Sequence, residues 1–174
     1  MILLLSTCKI KFSEEEFVKP IAKIIKDNYE IRHFKDKIDF NKYSKIVVCG
    51  TALIDNDFLD HIDKFEFLNT IKVPVLGICS GMQAIGLALG ANLTKQKEIG
   101  MVQVHLLEPN LLIKEDLNAY GLHGNALENL DQFDVLAMSK DLIQAFKHKK
   151  KDIYGIMFHP EVRNHQIIEN FLYI

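Results

Sequence analysis

The sequence lacks an excess of basic charge and contains little arginine. Its 174 residues carry 21 lysines and arginines against 23 acidic residues, which gives a formal net charge of −2. Only Arg32 and Arg163 could supply the planar guanidinium fork that binds phosphate through two hydrogen bonds. Because nucleic-acid-binding domains normally show a clear basic face, these absences argue against direct nucleic-acid recognition.

Long apolar runs and paired cysteines are also missing. No run reaches the roughly 18 residues that cross a bilayer, and apolar residues 1–5 lack the basic flank of a signal peptide. Cys8, Cys49 and Cys79 are an odd number without paired spacing, which argues against a disulfide framework and a zinc knuckle. The histidines show no metal-ligand spacing. We expect a cytoplasmic protein with no membrane attachment, no metal and no cofactor.

Linkers, low-complexity tracts and internal repeats are absent as well, so residues 1–174 are expected to form a single domain. What is present is an alternation of short apolar runs with helical patterns. Runs at 2–5, 46–49 and 73–79 predict buried strands, and residues 80–89 predict a helix. This alternation predicts an α/β fold with an open, mostly parallel sheet covered by helices on both faces.

Further elements are predicted on either side of this pattern. Ser13 and Glu16 form a capping box before apolar residues at helical spacing, which predicts a helix through residue 25. Shorter runs predict extra strands, some of them antiparallel, before a final helix at 164–172; these runs are 101–107, 135–138, 143–146 and 153–158. In open α/β sheets, sites form at the carboxyl ends of strands, which directs attention to Gly50, Cys79 and His159.

The strongest local motif is Gly77-Ile78-Cys79-Ser80-Gly81, at a junction between strand and helix. It is the cysteine counterpart of the G-x-S-x-G elbow, whose tight turn lifts a nucleophile out of the sheet. The helix dipole there favours the thiolate, and the backbone N–H of Ser80 is free to stabilise an oxyanion. The alternative is a buried structural cysteine whose flanking glycines merely form a turn.

The second motif is Phe158-His159-Pro160-Glu161, at the end of a predicted strand. Residues i and i+2 of an extended chain point to the same side, so His159 and Glu161 can lie side by side. A carboxylate that orients an imidazole is the arrangement that a cysteine nucleophile needs. The alternative is an ordinary histidine beside a solvated carboxylate.

Together these motifs resemble the class I glutamine amidotransferases, which use a Cys-His-Glu triad. The resemblance covers roughly residues 45 to 172 and includes Glu98-Ile99-Gly100 and His123-Gly124-Asn125 in the expected order. Within the family, the residues after the cysteine and around 159–163 are most similar to the glutaminase part of GMP synthase. The resemblance therefore implies a flavodoxin-like open sheet.

The resemblance also implies a reaction and a set of roles. Cys79 would attack the side-chain amide of L-glutamine, His159 would protonate the departing ammonia, and water would release glutamate from the thioester. Glu161 completes the triad. The implied oxyanion hole consists of Thr51 and Ser80, and the implied substrate-binding residues are Gly50, Gln83, Leu122 and His123.

Thr51 departs from the family pattern. The family usually has a Gly-Gly-Pro turn that supplies the second oxyanion donor, whereas residues 49–52 read Cys-Gly-Thr-Ala. A threonine has a Cβ and resists a turn with positive φ. Either the loop takes another shape or the oxyanion hole loses a donor, and such a loss costs about 10²–10³ in turnover.

No nucleotide-binding motif lies in these residues, so the implied acceptor of ammonia is a separate ATP-dependent synthetase subunit. That makes a GMP synthase-like glutaminase of purine biosynthesis the preferred hypothesis. One alternative, which Thr51 favours, is a non-catalytic relative that has a binding or regulatory role in a complex. Another is a γ-glutamyl or amide hydrolase on the same scaffold, although Gln83 favours glutamine as the substrate.

Overall fold

Nine strands form one sheet in this computed structural model, which describes residues 1–174. The strands are β1 Ile2–Ser6, β2 Tyr29–His33, β3 Lys45–Val48, β4 Val75–Ile78, β5 Asn92–Leu106, β6 Leu117–Glu128, β7 Phe133–Ser139, β8 Leu142–His148 and β9 Ile153–Ile156. Their order across the sheet is β2-β1-β3-β4-β9-β8-β7-β5-β6. The strands from β2 to β9 in this order are parallel, and the remaining pairs are antiparallel.

Helices cover both faces of the parallel part of the sheet. They are α1 Glu14–Phe17, α2 Lys19–Ile24, α3 Ser80–Ala88 and α4 Gln166–Leu172, with 3₁₀ segments at Lys11–Ser13, Phe40–Lys42 and Asp57–Asn69. One buried cluster joins the sheet to α1, α2 and α4, and a second joins it to α3 and the Asp57–Asn69 segment. None of these helices combines the length and apolar composition that a bilayer crossing requires.

The continuous apolar runs are explained by burial of both sheet faces. In β1, Leu4 points into the cluster with α2, while Leu3 and Leu5 point into the cluster with α3. All three side chains are buried. Each such residue contributes roughly 1.5–3 kcal/mol of hydrophobic free energy, so successive residues of one strand stabilise opposite layers. The predicted α/β fold with helices on both faces is confirmed.

The sheet is mixed, which corrects the expectation of a mostly parallel sheet. Parallel pairing holds from β2 to β9, whereas β8, β7, β5 and β6 form an antiparallel half that includes a long β5–β6 hairpin. Strand β2 was not predicted because it is an edge strand whose Glu30 and Arg32 are ion-paired and partly exposed. Strand β6 was not predicted either, because its apolar residues do not alternate regularly.

The helix expected over residues 13–25 is interrupted. Ser13 is itself helical, with φ −65° and ψ −17°, and its side chain makes no capping hydrogen bond, so the predicted capping box was wrong. The helix breaks at Val18 between α1 and α2. Pro20 explains the break, because proline has no N–H to donate to the carbonyl of Glu16 and its ring crowds that carbonyl.

The carboxyl edge of the sheet brings three chain segments together. β3, β4 and β9 are neighbours, so the residues after each strand, Gly50, Cys79 and His159, meet at one edge. The antiparallel half curls back to this edge, since the His159 N–H donates to the Tyr120 carbonyl of β6 over 2.9 Å. A site therefore forms between the parallel half and β6.

Candidate active site

Cys79 occupies a strained turn between β4 and α3. Its φ of 50° and ψ of −109° lie outside the regions that residues with a Cβ normally adopt. The turn is held by two backbone hydrogen bonds: the Cys79 N–H donates to Ile156 over 2.8 Å, and the Gln83 N–H donates to the Cys79 carbonyl over 3.0 Å. Strain of this kind costs about 1–3 kcal/mol and persists where the surroundings enforce it.

The glycines on both sides of Cys79 allow close backbone approach. A Cβ on Gly77 would lie 2.7 Å from the carbonyl of Gly81, and a Cβ on Gly81 would lie 2.1 Å from the Val48 oxygen. The first turn of α3 therefore packs directly against β3 and β4. This packing explains why the motif places glycines two residues before and after the cysteine.

His159 and Glu161 form a buried pair. His159 Nδ1 lies 2.7 Å from Glu161 Oε1, and both side chains are 1% exposed. Because an ionised carboxylate only accepts hydrogen bonds, Nδ1 carries the proton and donates. The other ring nitrogen, Nε2, is buried and has no hydrogen-bond partner. The ring of Phe17 packs 5.6 Å from the imidazole and shields it from solvent.

The charge of His159 is set by opposing effects. Burial lowers the pKa of His159, but the neighbouring Cys79 and Glu161 together raise it more, so the net pKa lies well above the ordinary value. The contacts of protonated His159 with Cys79 and Glu161 therefore contribute fully to the free energy of unfolding below about pH 6.5. This contribution is lost as the pH rises through the pKa of His159 in the folded state. At neutral pH the imidazole can hold a proton for a leaving group.

Gly50 lies directly against this pair. A Cβ there would lie 3.1 Å from His159 Cε1 and 3.6 Å from Cys79 Cβ. A side chain would have to push apart the two groups that the reaction needs. Gly50 therefore leaves the space in which the imidazole and the thiol approach each other.

Thr51 does not adopt a positive φ, so the loop takes the other shape that the sequence analysis allowed. Its hydroxyl donates to Asp55 Oδ2 over 2.7 Å, and the same oxygen accepts the Lys9 N–H over 2.7 Å. The Thr51 N–H donates to no group in the structure. Asp55 was missed by sequence reasoning because its two partners become neighbours only in the folded chain.

Most of the residues singled out from the sequence meet in one pocket. Cys79 lines it together with five of them: Thr51, Ser80, Gln83, Leu122 and His123. Gly50, His159 and Glu161 do not line this pocket but connect to it through Cys79, since Gly50 lies against Cys79 and His159, and His159 pairs with Glu161. The structure thus brings all nine residues to one place, and it adds Asp55 and Asn125 to the pocket wall.

Hydrogen bonds connect the pocket wall to the cysteine. Cys79 Sγ donates to the Leu122 carbonyl over 3.5 Å, and Gln83 Nε2 donates to the Asn125 carbonyl over 3.1 Å. The Ser80 hydroxyl points elsewhere, 3.0 Å from Thr7 Oγ1 in the protein interior. Its backbone N–H starts α3 and has no intrahelical acceptor. Ser80 can therefore act as a hydrogen-bond donor in the pocket through its main-chain N–H, and not through its hydroxyl.

A family model described as "Glutamine amidotransferase class-I" matches residues 18–173. The chain belongs to this family. The thiol, the imidazole–carboxylate pair and the unpaired backbone donors thus lie together in a class-I glutamine amidotransferase.

Curated relatives of this amidotransferase carry the name GMP synthase [glutamine-hydrolyzing]. One such subunit, from Thermoplasma volcanium, is 36% identical over 141 residues, which cover 74% of this chain and 70% of that protein. Its counterpart from Methanothermobacter thermautotrophicus is 33% identical, covering 61% of this chain and 63% of that protein. The Borreliella burgdorferi enzyme is 37% identical over 114 residues. These residues cover 59% of this chain but only 22% of that longer protein.

Solved structures share the fold of this amidotransferase. A Thermoplasma acidophilum protein described as a GMP synthase subunit superposes with a TM-score of 0.83 at 24% identity, over 99% of this chain and 93% of that one. A glutamine amidotransferase from Thermotoga maritima gives a TM-score of 0.75 at 19% identity, over 99% and 81%. These likenesses support the fold described above.

Alkylation tests whether Cys79 differs chemically from the other two thiols. Burial raises the pKa of Cys8 and raises that of Cys49 further, so both stay protonated near neutral pH. Cys79 lies at the start of α3 beside His159. We expect iodoacetamide at pH 7 to modify Cys79 about tenfold faster or more, as followed by peptide mass mapping. Equal rates at all three cysteines would contradict an activated thiol.

Proposed function

We propose that this chain hydrolyses L-glutamine to glutamate and ammonia through a thioester on Cys79. We further propose that the ammonia passes to a separate ATP-dependent synthetase, as in a GMP synthase of purine biosynthesis. The observation that carries the proposal is the strained Cys79 beside the buried His159–Glu161 pair. Family membership and the relatives named as GMP synthase subunits support glutamine as the substrate and a synthetase as the partner.

The first half-reaction forms the thioester. The Cys79 thiolate attacks the side-chain amide carbon of glutamine, and negative charge develops on the amide oxygen. The backbone N–H groups of Ser80 and Thr51 are the donors proposed for that oxygen. His159 then delivers its Nε2 proton to the amide nitrogen, the C–N bond breaks and ammonia leaves.

The second half-reaction regenerates the thiolate. Water attacks the thioester carbonyl while the now neutral His159 accepts a proton from it at Nε2. The C–S bond breaks, glutamate is released, and the imidazolium again faces the thiolate. Glu161 acts throughout by holding Nδ1 protonated and balancing the imidazolium charge, which is the role of the third member of such triads.

Substrate binding is assigned to the wall of the pocket. Gln83 uses its Nε2 on the Asn125 carbonyl, while its Oε1 accepts no hydrogen bond and is free for a donor of the substrate. The Leu122 carbonyl contacts Cys79 Sγ, so the backbone of Leu122 and His123 lies within reach of a molecule bound to the sulfur. Gly50 is proposed to leave room beside Cys79 and His159, where a Cβ would lie 3.6 Å from Cys79 Cβ.

Glutamate release measures both parts of this proposal. The protein would be assayed alone and with the ATP-dependent GMP synthetase of the same organism plus its nucleotide substrates. We expect release to rise with the partner by about 5- to 150-fold, the range of a typical coupling free energy between sites. An equal rate of glutamate release with and without the synthetase would indicate another acceptor of ammonia. No release in either condition would favour the non-catalytic relative.

A further inference from the structure

A buried polar cluster lies behind the pocket wall. Glu98 of β5 accepts the Gln144 Nε2 donor over 2.7 Å at Oε2, and its Oε1 lies 3.4 Å from Ser139 Oγ. The same Oε2 is 3.4 Å from His123 Nε2. The Glu98 side chain is 11% exposed and that of His123 is 1% exposed. No step of the proposed reaction uses this carboxylate.

Local backbone geometry directs Glu98 to this position. The β5–β6 register shifts between Lys95 and Glu98, and such bulges change the direction in which a side chain points. Beyond the shift, Glu98 lies directly opposite His123 on β6. Gly121 leaves space for the carboxylate, since a Cβ there would lie 3.4 Å from Glu98 Oε2. The contact therefore joins the two strands of the hairpin across one face.

The polar cluster determines the tautomer and the charge of His123. Because the Glu98 carboxylate only accepts, the proton of the imidazole lies on Nε2. Burial lowers the pKa of His123 more than Glu98 raises it, so the ring is neutral near pH 7. A buried carboxylate is costly unless donors surround it, and here Gln144 of β8 and Ser139 of β7 are those donors.

We propose that Glu98 is a positioning residue for glutamine hydrolysis. By holding His123 against β7 and β8, Glu98 fixes residues 122–125, whose carbonyls contact Cys79 Sγ and the Gln83 amide. This inference rests on the proposed function. Glu98 itself touches neither the thiol nor the substrate and acts through His123.

The test is Glu98→Gln, which keeps the size of the side chain and removes its charge. In the complex with the synthetase we expect kcat/KM for glutamine to fall about 10- to 100-fold, mainly through an increase in KM. The reason is that displacement of residues 122–125 weakens the positioning of the substrate. Unchanged kcat and KM in a folded Glu98→Gln protein would overturn the proposal.

The matched control is Asp116→Asn. Asp116 pairs with His105 of β5 over 2.9 Å, but both side chains are more than half exposed and the pair lies outside the pocket. Loss of this surface pair is expected to leave kcat and KM within about twofold of wild type. An equal loss in both variants would overturn a specific role for Glu98.

A second readout is independent of turnover. In protein labelled with ¹⁵N-histidine, the His123 signal should show a protonated Nε2 and should shift in Glu98→Gln, while the His159 signal stays unchanged.

If the wild type releases no glutamate, the proposed function fails, and an unchanged His123 signal would separately overturn the positioning role. If Glu98→Gln does not fold, Gln144→Leu decides: we expect a raised KM there, and wild-type kinetics would reject the proposal.

Discussion

Cys79→Ala should abolish glutamate release, with kcat lower by at least about 10⁴-fold. The reason is that the thioester cannot form without the sulfur, and water attacking the amide directly receives only the help of the remaining site. Glutamine binding should survive, because Gln83 and residues 122–125 are unchanged. Kinetics with the synthetase present, together with calorimetric titration of glutamine, would separate lost chemistry from lost binding.

Two further variants make this result specific. Cys49→Ala removes another buried thiol and should retain full activity, at a cost of about 1 kcal/mol in stability. Cys79→Gly should be as inactive as Cys79→Ala but more stable by about 1 kcal/mol, because glycine adopts the φ of 50° without strain. Wild-type release from either Cys79 variant would show that the reaction proceeds elsewhere.

Gly81→Ala should destabilise the fold by about 3 kcal/mol or more and remove activity with it. The new methyl group would lie 2.1 Å from the Val48 oxygen and 2.8 Å from its carbonyl carbon. These are main-chain atoms of β3, a central strand, so they cannot rotate away as a side chain would. Urea denaturation would measure the loss as a lower transition midpoint.

Gly86→Ala is the control on the same helix. A Cβ at Gly86 would lie 2.6 Å from Leu127 Cδ1, which is the far end of a side chain and not a main-chain atom, so it can shift further than the Val48 carbonyl can. Alanine also favours the helical state over glycine by about 1 kcal/mol, which offsets the adjustment. We expect a change within about 1 kcal/mol. A comparable loss in both variants would mean that the contact of Gly81 with β3 is not the decisive one.

Apart from the edge strand β2, the parallel half of the fold was predictable, because burial of both strand faces leaves a local apolar pattern in the sequence. Strands β1, β3, β4 and β9 are buried on both faces and therefore appear as short continuous apolar runs. The Asp57–Asn69 segment was not predicted, since Phe58 and Phe65 are buried in a 3₁₀ stretch that lacks the 3.6-residue period. Elements that depend on tertiary packing leave no such pattern in the sequence.

The site residues also differ in whether a local pattern or only tertiary packing identifies them. Cys79 and the His159–Glu161 pair could be singled out because each lies in a short motif with a local geometric reason. The contact between Glu98 and His123 could not, because it depends on where the β5–β6 register shifts. Thr51 was expected to conflict with a positive-φ turn, but the structure has no positive φ at Thr51, whose hydroxyl donates to Asp55.

The position of β9 has a consequence for the synthesis of the protein. β9 enters the middle of the sheet between β4 and β8, where Val75 pairs with Ile153. On the ribosome, the chain that carries Cys79 emerges well before the chain that carries His159, and pairing across such sequence distances forms slowly. The thiol therefore has no base beside it in an incomplete chain, so a nascent or truncated product carries no assembled hydrolytic site.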